Sequence, residues 1–173
     1  MSQPDRRDEL LAAQLLAALP LGVPTPGRGR TITAGEIALL AGVSEWPTQA
    51  KTVEEVVRES EPLELEPHLV LPVMLSLAAA NPLFHRLEQD HGLVTVAALS
   101  HRAELKGAVR ANDTMITETE IQSVRASSSK PGHYVVTVKD VGMDQHRNEI
   151  VVIERVLLMR HEPEMKPDLE TAG

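Results

Sequence analysis

The stretch Leu69-Val70-Leu71-Pro72-Val73-Met74-Leu75-Ser76-Leu77-Ala78-Ala79-Ala80 decides the architecture. It is apolar nearly all round, so as a helix it must be covered on most sides. Proline suits an early helical turn better than a middle one. The regular helix is therefore expected from near Pro72 to about Ala80. Asn81-Pro82 then breaks the pattern, and Leu83 to Leu87 adds at most a short turn. The run is too short to cross a bilayer, which takes roughly 20 apolar residues.

Downstream, the reading is β-structure throughout. Val94 to Lys106 is a first strand and Thr114 to Arg125 a second. Ala126 to Gly132 is a loop of serine, proline and glycine. Tyr134, Val136 and Val138 alternate in a third strand, and Gly142 to Asn148 is the next turn. Ile150 to Met159 is almost continuously apolar, as in a central strand covered on both faces. The sum is a buried helix followed by a four-strand antiparallel meander.

Upstream, Leu11, Leu15 and Leu19 repeat every four residues and share one helical face. This helix stops before Pro20 and is expected to cover the domain or a partner. Its polar face lacks the lysine and arginine of a membrane-surface helix. Pro24 to Gly29 is a turn-rich linker, and Arg30-Thr31-Ile32 reads as a short strand. Thr33 and Glu36 have capping-box spacing and open a helix bearing Ile37, Leu40 and Ala41. Glu45 to Pro67 is acidic and broken by Pro47, Pro62 and Pro67, with a possible helix at Val53 to Arg58.

Composition removes whole classes of function. The chain has 173 residues, a formal charge of −8 and no cysteine. Disulfides, thiolate metal sites and a cysteine nucleophile are excluded. The acidic balance disfavours nucleic acid. Phe84, Trp46 and Tyr134 are the only aromatic residues, too few for a base-stacking platform. No targeting segment is visible, which fits a cytoplasmic protein. No histidine pair has metal-ligand spacing, and no serine lies in a Gly-x-Ser-x-Gly elbow.

Three motifs carry a resemblance. Gly29-Arg30-Thr31-Ile32-Thr33, with Glu36-Ile37 and Leu40-Ala41-Gly42-Val43-Ser44, resembles the opening of MaoC-like dehydratases. Leu71 to Leu77 is similar to the start of their central helix. Arg110-Ala111-Asn112-Asp113-Thr114 resembles their Pro-Gly-Asp-Thr turn, with Asn112 in place of glycine. The resemblance implies an α+β hot-dog fold: a curved antiparallel sheet wrapped around a central helix, here with an extra N-terminal helix. Residues 1–26 would be that helix and a linker, 27–161 the hot-dog domain and 162–173 a polar tail. It further implies an acyl thioester on coenzyme A or acyl-carrier protein, no cofactor or metal, and dimers whose sheets join edge to edge.

Hydration of an enoyl thioester needs a base for water, an acid for the α-carbon and amides for the thioester oxygen. The family supplies the first two from a loop motif, Asp-x-Asn-Pro-x-His, and the amide from the start of the central helix. Here the loop reads Glu45-Trp46-Pro47-Thr48-Gln49. Matching Pro47 to the motif's proline puts Gln49 at the histidine position, and an amide does not titrate. Glu45 is the nearest carboxylate. By the same resemblance Pro72, Val73, Met74 and Leu75 are the expected substrate-binding residues, with Val73 where glycine is usual.

Three readings follow. The chain is a hot-dog subunit lacking the Asp/His pair and working beside a catalytic MaoC-like partner. Alternatively it is an active dehydratase, isomerase or thioesterase with rearranged residues: Glu45 or Glu54 as carboxylate, His68 or His101 as proton shuttle. In the third reading it binds an acyl ligand without turnover. His68 precedes the buried helix and reads first as an exposed loop residue flanking it; His85, His91, His133, His146 and His161 read as surface, turn or tail positions.

Overall fold

The computed structural model describes residues 6–43, 64–65 and 67–162. Two helices, α1 (Arg6–Ala18) and α2 (Ala34–Val43), bracket the short strands β1 (Thr25–Pro26) and β2 (Arg30–Thr31). Then come β3 (Glu64–Leu65), α3 (Pro67–Ala79) and α4 (Pro82–His91). The remainder is β4 (Leu93–Leu105), β5 (Val109–Arg110), β6 (Thr114–Ala126), β7 (His133–Met143) and β8 (Glu149–His161).

The main sheet is antiparallel, in the order β1-β6-β7-β8-β4, with β2 also on β6. The expected four-strand meander is therefore corrected. Only β6, β7 and β8 follow one another; β4 pairs β8, from Leu93 opposite His161 to Leu105 opposite Val151. The physical reason is the segment after β4. Lys106 and Gly107 donate to the Ile150 carbonyl, and β5 then pairs β3, away from the main sheet. The chain thus reaches β6 at the opposite edge.

Side chains alternate across a strand, so each strand sends one parity to the helix-covered face. In β7 that face carries Tyr134, Val136, Val138, Asp140 and Gly142, all buried. In β8 it carries Val151, Ile153, Arg155, Leu157 and Met159. On the other face Ile150 and Leu158 are buried, Val152 and Val156 half buried and Glu154 exposed, so only the middle of that face is open to solvent.

Two apolar clusters fill the covered face. In one, Val70, Val73 and Met74 of α3 pack with Ile32, Ile37, Leu65, Met115, Val151 and Ile153. In the other, Ala12 and Leu15 of α1 and Leu83 and Leu87 of α4 pack with Ile121, Val136, Leu157 and Met159. The N-terminal helix covers the domain, as its leucine repeat predicts. Between the clusters runs a seam of buried polar side chains: Thr117 and Thr119 on β6, Asp140 on β7, Arg155 on β8.

Helix α3 begins at Pro67 rather than near Pro72, and Pro72 lies inside it on the exposed side. The amide that proline lacks would have reached the carbonyl four residues back, at His68 in the first turn. Burial is also less complete than the apolar run suggests. Leu69, Leu71, Leu75 and Leu77 are half buried, and Ser76, Ala79 and Ala80 exposed. Read continuously, 67–91 has the length and hydropathy to cross a membrane. A turn at Ala80 divides it, and six of its apolar residues are buried against the sheet and its flanks.

The expected short turn at Leu83 to Leu87 is the full helix α4. Asn81 caps it by accepting from the Leu83 amide at 2.9 Å, Pro82 takes the first position, and Gly92 closes it at φ 59°. These are standard start and stop signals.

The capping box forms as its spacing predicts. Thr33 N–H and Oγ1 donate to Glu36 Oε2 at 2.8 and 2.9 Å, and Glu36 N–H donates to Thr33 Oγ1. Arg30 adds an ion pair to the same carboxylate. These hydrogen bonds and the cation hold the Glu36 carboxyl below its ordinary range, the Thr33 amide first.

Candidate functional site

The turn at 110–114 clamps the front of the domain. Ile32 N–H donates to Asp113 O at 2.8 Å, and Asn112 N–H to Ile32 O at 2.7 Å. Asn112 has φ 73°, a left-handed conformation that suits glycine and, next, asparagine. Its place in the turn motif thus has a backbone reason. Asp113 accepts from Arg110 N–H at 2.7 Å and from Gln145 Nε2 at 3.0 Å, so its carboxylate is committed to the turn.

Glu45, Gln49 and Glu54 lie outside the described residues. The helix expected at Val53 to Arg58 lies outside them too; the chain is described again at β3, where Glu64 pairs with Arg110 and Leu65 with Val109. His68 is exposed in the first turn of α3. Of the four expected substrate contacts, Pro72 is exposed, Leu75 half buried, Val73 8 % exposed and Met74 fully buried. Met74 faces the sheet, against Gly142.

The remaining histidines are dispersed. His101 lies on β4 directly opposite Arg155, exposed. His133 Nδ1 is 2.9 Å from the Pro131 carbonyl, His146 occupies the β7–β8 turn, and His161 meets the Tyr134 ring edge-on. Among the described residues no group of three or more histidines and carboxylates could hold a metal ion.

Chemistry is most concentrated in the seam, which sequence reasoning missed. Arg155 Nε donates to Asp140 Oδ2 at 2.5 Å and Nη2 to Oδ1 at 3.0 Å. Thr119 Oγ1 donates to Asp140 Oδ1 at 2.7 Å. The Asp140 side chain is fully buried and that of Arg155 is 9 % exposed. The Phe84 ring stacks against the guanidinium, 5.2 Å from its carbon to the centroid. The signal was available: Asp140 shares the inward parity of Val136 and Val138, and Arg155 interrupts an apolar run.

The α3–α4 junction lies beside this pair. Asn81 Nδ2 donates to Thr25 O at 3.1 Å, and Gly27 N–H to Thr117 O at 2.7 Å, which brings the N-terminal segment across the seam. A side chain at Gly27 would collide with Thr117, its Cβ 2.1 Å from Oγ1. A half-open cavity of about 560 Å³ remains between this junction and the sheet. Arg28, Asn81, Phe84, His85, Glu88 and Arg155 line it, with Leu93 and Leu157.

The open edge is β4. Every residue from Thr95 to Leu105 is exposed, including Val96 at 48 %, Leu99 at 53 % and Leu105 at 44 %. Its inner edge pairs β8, with register shifts near Thr95 and Ala98; its outer edge has no strand among the described residues.

No family model matches the chain, and no curated protein does. Solved structures do. The chain is similar to a MaoC-like dehydratase from Rhodospirillum rubrum, with a TM-score of 0.67 at 17 % identity over 86 % of this chain and 98 % of that one. It is similar to a Mycobacterium tuberculosis protein with a double hot-dog fold, with a TM-score of 0.61 at 20 % identity over 88 % of this chain and 46 % of the other. A third likeness is to the HadBC (3R-hydroxyacyl-ACP dehydratase) complex of Mycobacterium tuberculosis, with a TM-score of 0.53 at 13 % identity over 78 % of this chain and 95 % of that one. At such identities the likeness is one of fold. The chain has the hot-dog fold that the motifs around Arg30, Pro72 and Asp113 imply.

Proposed function

We propose that this hot-dog chain is a MaoC-like subunit of an enoyl-thioester hydratase or 3-hydroxyacyl dehydratase, lacking the usual Asp/His pair and completed by a catalytic hot-dog partner. The observation that carries the pairing is β4. A thirteen-residue strand with one free edge and exposed Val96, Leu99 and Leu105 is a template for another strand. A second hot-dog sheet continuing from it would satisfy its backbone and cover those side chains. A chain of the HadBC complex carries a similar fold, which supports the same reading.

The chemistry follows from the resemblance. With Gln49 at the histidine position, this chain has no titrating group there to move a proton, and the partner supplies base and acid. The contribution of this chain is the pocket wall, for which Pro72 and Leu75 are the accessible residues among the four expected substrate contacts, in the middle of α3. The substrate would be an acyl chain on coenzyme A or acyl-carrier protein.

The test is hydration of crotonyl and longer enoyl thioesters by this chain alone, then with a hot-dog partner that has Asp-x-Asn-Pro-x-His. Turnover only in the mixture is expected. Robust turnover by the isolated chain sinks the non-catalytic reading. It would favour the second one, in which Glu45 or Glu54 acts with His68 or His101. His101 has a specific claim there, as the residue opposite Arg155 at the open edge.

A further inference from the structure

We infer that the cavity at the α3–α4 junction is a binding site for an amphiphile with a single carboxylate, its head on Arg155 and its apolar body along Phe84, Leu93 and Leu157. The first ground is the state of Arg155. A guanidinium has five N–H donors in a fixed plane. Asp140 engages Nε and Nη2, and the remaining nitrogen, Nη1, has no partner among the described residues. The side chain is 9 % exposed, and it lines the cavity. A buried ion pair is costly to desolvate and often does no better than apolar residues of the same volume. A pair whose arginine keeps a spare donor against a cavity is better suited to binding than to stability.

Rigidity is the second ground. Asp140 fixes the guanidinium from one side and the Phe84 ring from another, while Thr119 fixes Asp140. The donor is oriented before any ligand arrives, which limits the entropy lost on binding. The cavity, at about 560 Å³, falls within the usual range of small-molecule sites, about 300–1,000 Å³.

Charge selects the head group. Arg28 and Arg155 face the cavity with Glu88, and Asp140 stands behind Arg155. The formal charges of these four cancel. A dianionic phosphate would meet two carboxylates, whereas one carboxylate can take the spare Nη1 donor with Arg28 at the rim. Such a ligand could be a free fatty acid or an acyl group ending in a carboxylate; the two share this chemistry.

Calorimetry on the full chain with decanoate, decanol and decyl phosphate tests the site without any thioester, so it can fail while the proposed function stands, and the reverse. Saturable decanoate binding is expected, with decanol at least roughly ten-fold weaker. Arg155→Met alone would strand a buried Asp140, so it is combined with Asp140→Leu. Ala80→Trp, at an exposed wall position, plugs the cavity without touching the pair. Both variants should weaken decanoate by roughly ten-fold or more. If the double variant does not fold, Ala80→Trp and Arg28→Glu decide the matter. Equal binding of decanol and decanoate, tighter binding of decyl phosphate, or undiminished decanoate binding in the folded variants overturns the proposal. A carboxyl-ended acyl-CoA, compared with decanoate, separates the two ligand sources: whichever is weakened more by the plug is the occupant.

Discussion

Met74 occupies the space that a side chain at Gly142 would need: a Cβ there would lie 2.7 Å from its sulfur and 2.9 Å from Val151 Cγ1. This contact sets how closely α3 approaches β7. Gly142→Ala must push Met74 aside in a site with no exposure. Overpacking of this kind costs about 1–3 kcal/mol. A urea midpoint lowered with an unchanged slope is the expected result, and Met74→Ala in the same chain should relieve the clash while opening a void.

Gly92 poses a stricter requirement. It ends α4 at φ 59°, and its carbonyl accepts from the Glu162 amide at 2.7 Å. A Cβ would sit 2.2 Å from the Glu162 carbonyl oxygen, a backbone atom that cannot rotate away. Gly92→Ala should therefore cost more than the about 1–3 kcal/mol of a strained backbone residue. Amide exchange near residues 91–93 and 160–162 should accelerate together.

The β7–β8 turn carries an acid sensitivity. Asp144 accepts from the His146 and Asn148 amides and from Asn148 Nδ2, each at 2.8 Å. The Asn148 side chain first, and then these amides, hold its carboxyl below the ordinary aspartate value. The folded-state pKa lies under the unfolded one, so this contribution is whole above the ordinary value. It is lost as pH falls through the lowered folded value. Asp144→Asn should lower the urea midpoint at pH 7 and reduce its further drop toward pH 2. An identical drop in both proteins would assign the acid sensitivity elsewhere.

If β4 is where a second hot-dog sheet joins, charge on it should separate the chains. Val96→Lys with Leu99→Lys adds two desolvation costs at exposed positions that the folded single chain tolerates. Size-exclusion chromatography should show a two-chain species for the wild type, alone or with its partner, and a single-chain species for the variant. A wild type that stays single in both conditions counts against the pairing.

Much of this fold is readable from residues whose demands are local. The Thr33/Glu36 box, the leucines of α1 and the alternation of β7 need only neighbours in sequence. Asn112 stands where the turn motif has glycine, and its φ shows why. The order of the strands was not readable. Consecutive strands usually lie side by side, and nothing within β4 says that its partner is β8. That is set by where the chain goes after Leu105. The Asp140–Arg155 pair joins residues fifteen positions apart on two strands; parity turns each inward, but neither strand alone says that the two meet. Helix α4 carried its own signals in Asn81, Pro82 and Gly92, and its polar composition hid them.

The polar seam has a consequence for how the molecule comes apart. It separates two buried clusters, one gathered around α3 and the other around α1 and α4. What joins them is sheet backbone and a handful of directional bonds; among the described residues the two clusters share no buried apolar side chain. Cooperativity should then have a natural line of cleavage. The α1–α4 half can loosen as a unit while α3 keeps its grip on Gly142, and a domain divided in this way can alter one half over generations without redesigning the other.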